Sequence, residues 1–199
     1  SIEEVLILTQ NFAPALYHLL DEKGNPQVFP HKRYIGIVGI GSYTTELGTI
    51  ELPAGEFKPK AVETQSRSEP FGILSAIHLL REKFRSEYNS NFRDYEVVQA
   101  LQTGFVTLWG QTFDVVPIVR QVLAPFFSKL VGIAQDNWSE RNPIPLSRLS
   151  MLIVTGGGAF QADEQVFKLH PSTIRSQEPH LDTVRGYERA YKMYMKGKK

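Results

Sequence analysis

Ile37-Val38-Gly39-Ile40-Gly41-Ser42-Tyr43-Thr44-Thr45-Glu46-Leu47 is the stretch on which the reading of this chain turns. Residues 34–40 are β-branched and glycine-interleaved, residues 41–45 form a polar turn, and residues 46–52 resume an apolar, β-prone pattern, so the stretch reads as a hairpin. The turn carries usable chemistry. Gly41 permits close approach of main chain to a ligand, the N–H groups of Ser42 and Tyr43 can donate to phosphate oxygens, and so can the hydroxyls of Thr44 and Thr45. The same residues are also ordinary hairpin chemistry, so the turn alone leaves both readings open.

About 115 residues further on, a compact apolar run over 149–154 ends in Thr155-Gly156-Gly157-Gly158-Ala159. A buried strand running into three glycines lets backbone pass near a ligand, and a helix opening over 160–167 would aim its N-terminal dipole at an anion. A strand-to-helix connection chosen for geometry alone is the competing reading. The Gly-x-Gly-x-x-Gly fingerprint and a Walker Gly-Lys-Ser/Thr are both absent, which sets aside the two commonest phosphate motifs.

Between and around these bends the chain alternates strand and helix signals. A short apolar run over 5–8 predicts a strand, and Pro14 opens a helix that closes before the breaker Gly24-Asn25-Pro26. Ile73, Ala76, Ile77, Leu80 and Phe84 keep a helical period over 70–85. A short helix is predicted over 95–101, N-capped by Asp94 and ending near Gly104. Val115, Ile118, Val119, Val122, Phe126, Leu130 and Ile133 predict a long, mostly buried helix kinked at Pro125. After the linker Asn142-Pro143-Ile144-Pro145 come the glycine-bounded strand, an extended piece at Ile174 and a last helix over 182–195. The Tyr187, Tyr191, Tyr194 stripe of that helix is expected to pack, and its lysines to solvate the helix end. Interleaving of this kind indicates an α/β layer fold.

The 199 residues are 42% hydrophobic and 22% charged, which suits one folded globular unit. With 22 basic and 21 acidic side chains, the net charge of +1 argues against direct nucleic-acid binding through the phosphate backbone. The absence of cysteine removes disulfides, thiolate catalysis and cysteine-held zinc, and fits the cytoplasm. The five histidines form no metal-binding spacing, and no Gly-x-Ser-x-Gly elbow occurs, so neither catalytic nor metal-ligating residues are assigned. The apolar runs over 73–80 and 151–154 are too short to cross a bilayer, so no membrane partner is expected. Ser1-Ile2-Glu3-Glu4 has neither methionine nor a basic segment and reads as an internal start rather than a signal peptide.

Taken together and in this order, the two bends resemble the actin-like ATPase superfamily, in particular its plasmid-segregation (ParM/StbA) branch. Residues 37–47 look like its second phosphate loop and residues 152–159 like its adenosine loop. Val184-Arg185-Gly186-Tyr187 resembles the stretch that follows, and Leu8-Thr9-Gln10-Asn11-Phe12-Ala13-Pro14-Ala15-Leu16 with Asp21-Glu22-Lys23-Gly24-Asn25 resembles the entry to the second domain. The resemblance covers essentially the whole chain, as one C-terminal domain spanning 1–199. It implies a ribonuclease-H-like, actin-type α/β domain: a mixed sheet flanked by helices, with a helical insertion over about 66–145.

By the same resemblance, Gly41, Ser42, Tyr43, Thr44 and Thr45 contact phosphates, and Gly156, Gly157, Gly158 and Ala159 contact adenosine. Arg185 and Gly186 close the fold nearby. The cofactor implied is ATP or ADP with magnesium, held against an N-terminal lobe that is missing here and that carries the first phosphate loop. The implied behaviour is nucleotide-switched self-association into cytoplasmic filaments for plasmid partition, with a DNA-binding adaptor as partner. One departure bears on catalysis. The family has an aspartate where this chain has Gly39, and Glu46, which matches the acidic residue after Thr-Thr, lies seven positions downstream. Losing a carboxylate removes charge where magnesium and phosphoryl transfer need it. Hydrolysis by this lobe alone is therefore not expected, and the alternative is a non-hydrolysing scaffold or adaptor of actin fold.

Overall fold

The computed structural model of the chain describes residues 12–197. In chain order its elements begin with α1 (Phe12–Leu19), β1 (Arg33–Ile40), β2 (Thr45–Leu52), β3 (Lys60–Ala61), β4 (Arg67–Glu69), α2 (Ile73–Tyr88) and α3 (Asp94–Thr103). They continue with β5 (Phe105–Leu108), β6 (Gln111–Asp114), α4 (Val116–Asn137), β7 (Met151–Thr155), α5 (Glu164–Phe167), β8 (Thr173–Ile174) and α6 (Asp182–Gly197). The strand expected over 5–8 lies outside the described residues.

The predicted hairpin forms. β1 and β2 pair antiparallel from Arg33↔Leu52 to Ile40↔Thr45, which leaves residues 41–44 as the turn. β7 lies on the other side of β1, parallel to it, from Ile35↔Met151 to Gly39↔Thr155. β8 extends the sheet beyond β7, while β3 and β4 both pair with β2, so the order is β3-β2-β1-β7-β8 with mixed strand directions. The fold is therefore α/β with a mixed sheet flanked by helices.

Both faces of the sheet are covered, which explains why β1 reads as continuously apolar. Its side chains still alternate. Ile35 and Ile37 join Ile50, Leu52 and Ile153 under α1, whereas Val38 and Ile40 join Leu47, Leu152 and Val154 under α2 and α4. α2 buries Ile73, Ala76, Ile77, Leu80 and Phe84, the residues its period picks out. Trp138, 1% exposed, seals the far end of this core and donates from Nε1 to Thr49 Oγ1 at 2.8 Å. Gln65 Nε2 donates to the carbonyls of Asn137 (3.0 Å) and Ile144 (2.8 Å), fixing the chain that leaves α4.

Several expectations are corrected. α4 buries one face only: Leu123, Phe126, Phe127, Leu130 and Ala134 are inside, but Ile118, Val119, Val122 and Ile133 are half-covered. At 22 residues, with an 18-residue stretch of mean hydropathy 1.4, it is also long and apolar enough to cross a membrane by length and composition, a run the sequence reading overlooked. Here its apolar side packs into the core. Asp94 is the first helical residue of α3 rather than its cap, and the preceding Arg93 N–H donates to Glu96 Oε2 at 2.6 Å. Residues 105–114 form a hairpin, β5–β6, whose two-residue turn is Trp109-Gly110. On α6, Tyr187 and Tyr191 face outward with Val184 and Met195 instead of packing.

The last turn of α6 leans on the segment after α1. Lys192 pairs with Glu188 at 2.6 Å and donates to the Glu22 carbonyl, and Lys196 donates to Asn25 Oδ1. Ala190 packs with Leu16 and Leu20 between the two helices. At Gly186 any Cβ would collide with the Ala13 carbonyl, so only glycine allows α1 and α6 to meet this closely.

Candidate functional site

The sheet register decides what the two bends can do together. Parallel pairing of Gly39 with Thr155 brings the ends of β1 and β7 level, so the turn after β1 and the bend after β7 emerge side by side. They share a hollow of about 80 Å³, lined by Pro14, Ile37, Gly39, Gly41, Thr44, Glu46, Thr155, Gly156 and Thr183. The alternation along β1 places this hollow on the α1 face of the sheet.

In the first bend the Gly41 N–H donates to the Thr44 carbonyl at 2.9 Å. The carbonyls of Gly41 and Ser42 accept from Ile73 and Leu74 N–H, both at 3.0 Å, so the turn caps the start of α2. Ser42, Tyr43 and Thr44 stand exposed, Tyr43 at 79%. Thr45 differs: it is fully buried, and its hydroxyl donates to the Phe71 carbonyl at 2.8 Å. That proton is committed to the fold, so Thr45 cannot donate it to a phosphate without breaking a buried bond.

The second bend is built into the core. Gly156 adopts φ 88° and ψ 167° with its Cα turned onto the main chain of Ile40, a conformation and a space that suit glycine. Gly157 faces open space, whereas Gly158 packs against Ile40 and Ile73, and Ala159 is buried. The expected helix over 160–167 is not one helix. A single 3-10 turn spans Gly157–Gln161, and the four-residue α5 follows, N-capped by Asp163 through Gln165 N–H (3.0 Å) and Val166 N–H (3.3 Å). The dipole argument for an anion therefore loses its helix.

Below the hollow, Thr155 Oγ1 donates toward the Pro179 carbonyl and Asp182 Oδ2, each at 3.1 Å. Asp182 is fully buried, accepts from Ser176 Oγ at 2.5 Å, and lies 3.7 Å from His18 Nε2. This network fixes β7, α1 and α6 together. Arg185 pairs with Glu178, whose hydrogen bond raises the arginine pKa above its ordinary value. The next residue, Gly186, packs α6 against Ala13 of α1.

Sequence reasoning assigned no site role to Thr155, Asp182 or Thr183, and set Glu46 aside as seven positions downstream of Gly39. For Glu46 the signal was present: a hairpin whose last pair is Ile40↔Thr45 sets Gly39 opposite Glu46, however far apart they are in sequence. Among the described residues no group of three or more His, Asp or Glu side chains could hold a metal. A larger cavity, about 740 Å³, lies between the end of α3, α4 and Gln161, and touches neither Gly41 nor Gly156. Volume alone does not mark the place where the two bends converge.

No protein-family model and no curated protein sequence matches this chain. Solved structures do. An archaeal actin homologue, also solved in complex with ADP, aligns at 20% identity and TM-score 0.75 over 94% of this chain and 57% of its own. A subunit of a 15-stranded ParM filament from Clostridium botulinum aligns at 11% identity and TM-score 0.76, over 96% and 54% respectively. MreB5 of Spiroplasma citri bound to ADP aligns at 19% identity and TM-score 0.68, over 98% and 63%. The chain thus has the fold of the actin-like proteins, and it spans roughly half the length of the structures it matches.

Proposed function

We propose that this chain is the nucleotide-binding second lobe of an actin-like, filament-forming protein of the plasmid-segregation type, acting in the cytoplasm. The observation that carries the reading is the convergence of Gly41, Thr44 and Gly156 on one hollow. In this reading the N–H groups of Ser42 and Tyr43 and the hydroxyl of Thr44 receive phosphate oxygens. Gly156 and Gly157 run beside the adenosine, and Gly158 and Ala159 shape the bend from inside. Thr45 supports the turn through Phe71.

A hollow of about 80 Å³ is far below the roughly 300 Å³ at which ligand pockets begin, so it can grip phosphates but not enclose a nucleotide. In this reading the first, N-terminal lobe supplies the facing wall. The neighbours solved with ADP and as a filament support nucleotide binding and self-association. A bound magnesium ion would neutralise phosphate charge. With no ligand cluster among the described residues, it would rely on phosphate oxygens, water and at most one or two carboxylates. Calorimetric titration of the intact protein with ATP and magnesium tests the reading: saturable binding is expected, and no heat at millimolar ATP contradicts it.

A second reading rests on Gly39, which leaves the family's aspartate position without a carboxylate. In that reading the protein binds nucleotide, does not hydrolyse it, and serves as a scaffold or as an adaptor to a DNA-bound partner. A Cβ at position 39 would meet Glu46 Cβ at 3.7 Å, the Glu46 carbonyl oxygen at 3.8 Å and Thr155 Cγ2 at 3.9 Å, all ordinary van der Waals contacts, so the Cβ of Gly39→Asp fits sterically. Phosphate release should be slow in the wild type and faster in Gly39→Asp; rapid wild-type turnover removes the scaffold reading.

A further inference from the structure

The buried carboxylate of Asp182 is served only by neutral hydroxyls: Ser176 Oγ at 2.5 Å on Oδ1 and Thr155 Oγ1 at 3.1 Å on Oδ2. Thr155 has one proton and two acceptors, because the Pro179 carbonyl lies at the same 3.1 Å. Oδ2 therefore receives only a shared bond. Among the described residues, the one basic side chain within 4 Å of Asp182 is His18 of α1, whose Nε2 lies 3.7 Å away, buried and without a hydrogen-bond partner. One added proton on that ring would supply the donor that Oδ2 lacks.

His18 and Ser176 also line a cavity of about 320 Å³, which gives the imidazole a route to solvent protons. The other charged groups of that cavity are engaged. Arg185 pairs with Glu178, and Arg189 stands 4.2 Å over the Tyr17 ring and donates to the Tyr17 and Leu20 carbonyls. His180, two residues before Asp182, is turned to the Phe160 ring. On the opposite side, Thr155 and Thr183 line the shared hollow together with the Glu46 carboxylate. An anion seated in the hollow brings further negative charge to within one threonine of Asp182, where low dielectric strengthens the repulsion.

We propose that His18 takes up a proton when an anion fills the hollow, donating from Nε2 to Asp182 and so coupling ligand affinity to pH. The inference rests on the nucleotide reading for its anion and on the Thr155, Asp182 and His18 network for its proton. Affinity gains from His18 at low pH and loses that gain as pH rises through the range in which imidazole titrates, about 5 to 8. A His18 that served the fold alone would alter affinity equally at every pH.

The test is calorimetric titration of the intact protein with ADP and magnesium, in buffers of different ionisation enthalpy, for wild type, His18→Gln and Asp182→Asn. Proton exchange by ADP itself is common to all three and cancels in the comparison. The wild type is expected to take up more protons per ADP than either variant. It should bind roughly five- to tenfold tighter than His18→Gln at about pH 6 and equally at about pH 8.5. His18→Gln removes no hydrogen bond at Nε2, so the comparison stands even where Asp182→Asn unfolds. Ring-nitrogen magnetic resonance of His18 reads the proton directly: ADP should move its signal toward the imidazolium position. Equal proton uptake by wild type and His18→Gln, or an affinity ratio that ignores pH, overturns the inference and leaves the nucleotide reading intact. A wild type that binds ADP at neither pH overturns both.

Discussion

The two glycine bends look alike in sequence and are built in opposite ways. The bend after β1 projects outward: Ser42, Tyr43 and Thr44 are exposed, and its carbonyls are spent on the first turn of α2. The bend after β7 is set inward, with Gly156 against the Ile40 main chain and Gly158 against the Ile40 and Ile73 side chains. Ile40 is the residue that immediately precedes the first bend. The inner bend is therefore the foundation on which the outer one stands, and a glycine run that reads as open loop divides between packing and exposure residue by residue. Only Gly157, for which a Cβ would meet nothing within 4 Å, is free of the core.

The sharpest way to break this contrast is at Gly156. Alanine there must hold φ 88° and push against the Ile40 main chain, and the combination should cost about 3 kcal/mol or more. Urea unfolding that shifts by less than about 0.5 kcal/mol would mean the inner bend is not a foundation at all. Thr45→Val comes next. It leaves the buried Phe71 carbonyl without its donor and should lose about 1–3 kcal/mol, which separates the structural threonine of the outer turn from its exposed neighbours.

Gly157→Ala and Tyr43→Ala should both stay within about 0.5 kcal/mol of wild type, since neither position carries packing. Any effect they have belongs to ADP affinity. A marked loss of stability in either would erase the distinction between exposed and embedded positions.

The smallest effect concerns a third turn, held by a side chain instead of by main chain. Asp21 Oδ1 accepts from Lys23 and Asn25 N–H, each at 2.8 Å, and Oδ2 accepts from Asn25 Nδ2 at 2.6 Å. These bonds, the Asn25 main-chain bond first, hold its carboxyl below the ordinary value of 3.8. The stabilisation is therefore present above the unfolded-state value and is lost as pH falls through the lowered folded-state value. Thermal melts should show the wild type losing its small advantage over Asp21→Asn below about pH 4. An advantage that persists at pH 2 would contradict that origin.

The hairpin, the apolar face of α2 and the strand before the glycines were legible because one-sided or two-sided burial imposes a period on the sequence, and Ile35 through Ile40 keep it. β5–β6 was not legible. Its turn places Trp109 at φ 50° where asparagine or aspartate would have announced a hairpin. α4 was read as too deeply buried because Ile118, Val119 and Val122 are as apolar as the residues beside them that reach the core. At the site, sequence reasoning found the two bends but treated Gly156, Gly157, Gly158 and Ala159 as equivalent. Which of them faces outward depends on Ile40, more than a hundred residues away, and no local pattern carries that information.

The central claim is that the two bends form one ligand-facing wall. The most direct measurement is an amide nuclear magnetic resonance titration of the isotope-labelled intact protein with ADP and magnesium. The account predicts saturating shifts, at one common affinity, for Ser42, Tyr43 and Thr44 together with Gly156 and Gly157, while the amides of the β5–β6 hairpin stay still. Shifts confined to one bend, or centred on the larger cavity between α3 and α4, would contradict it.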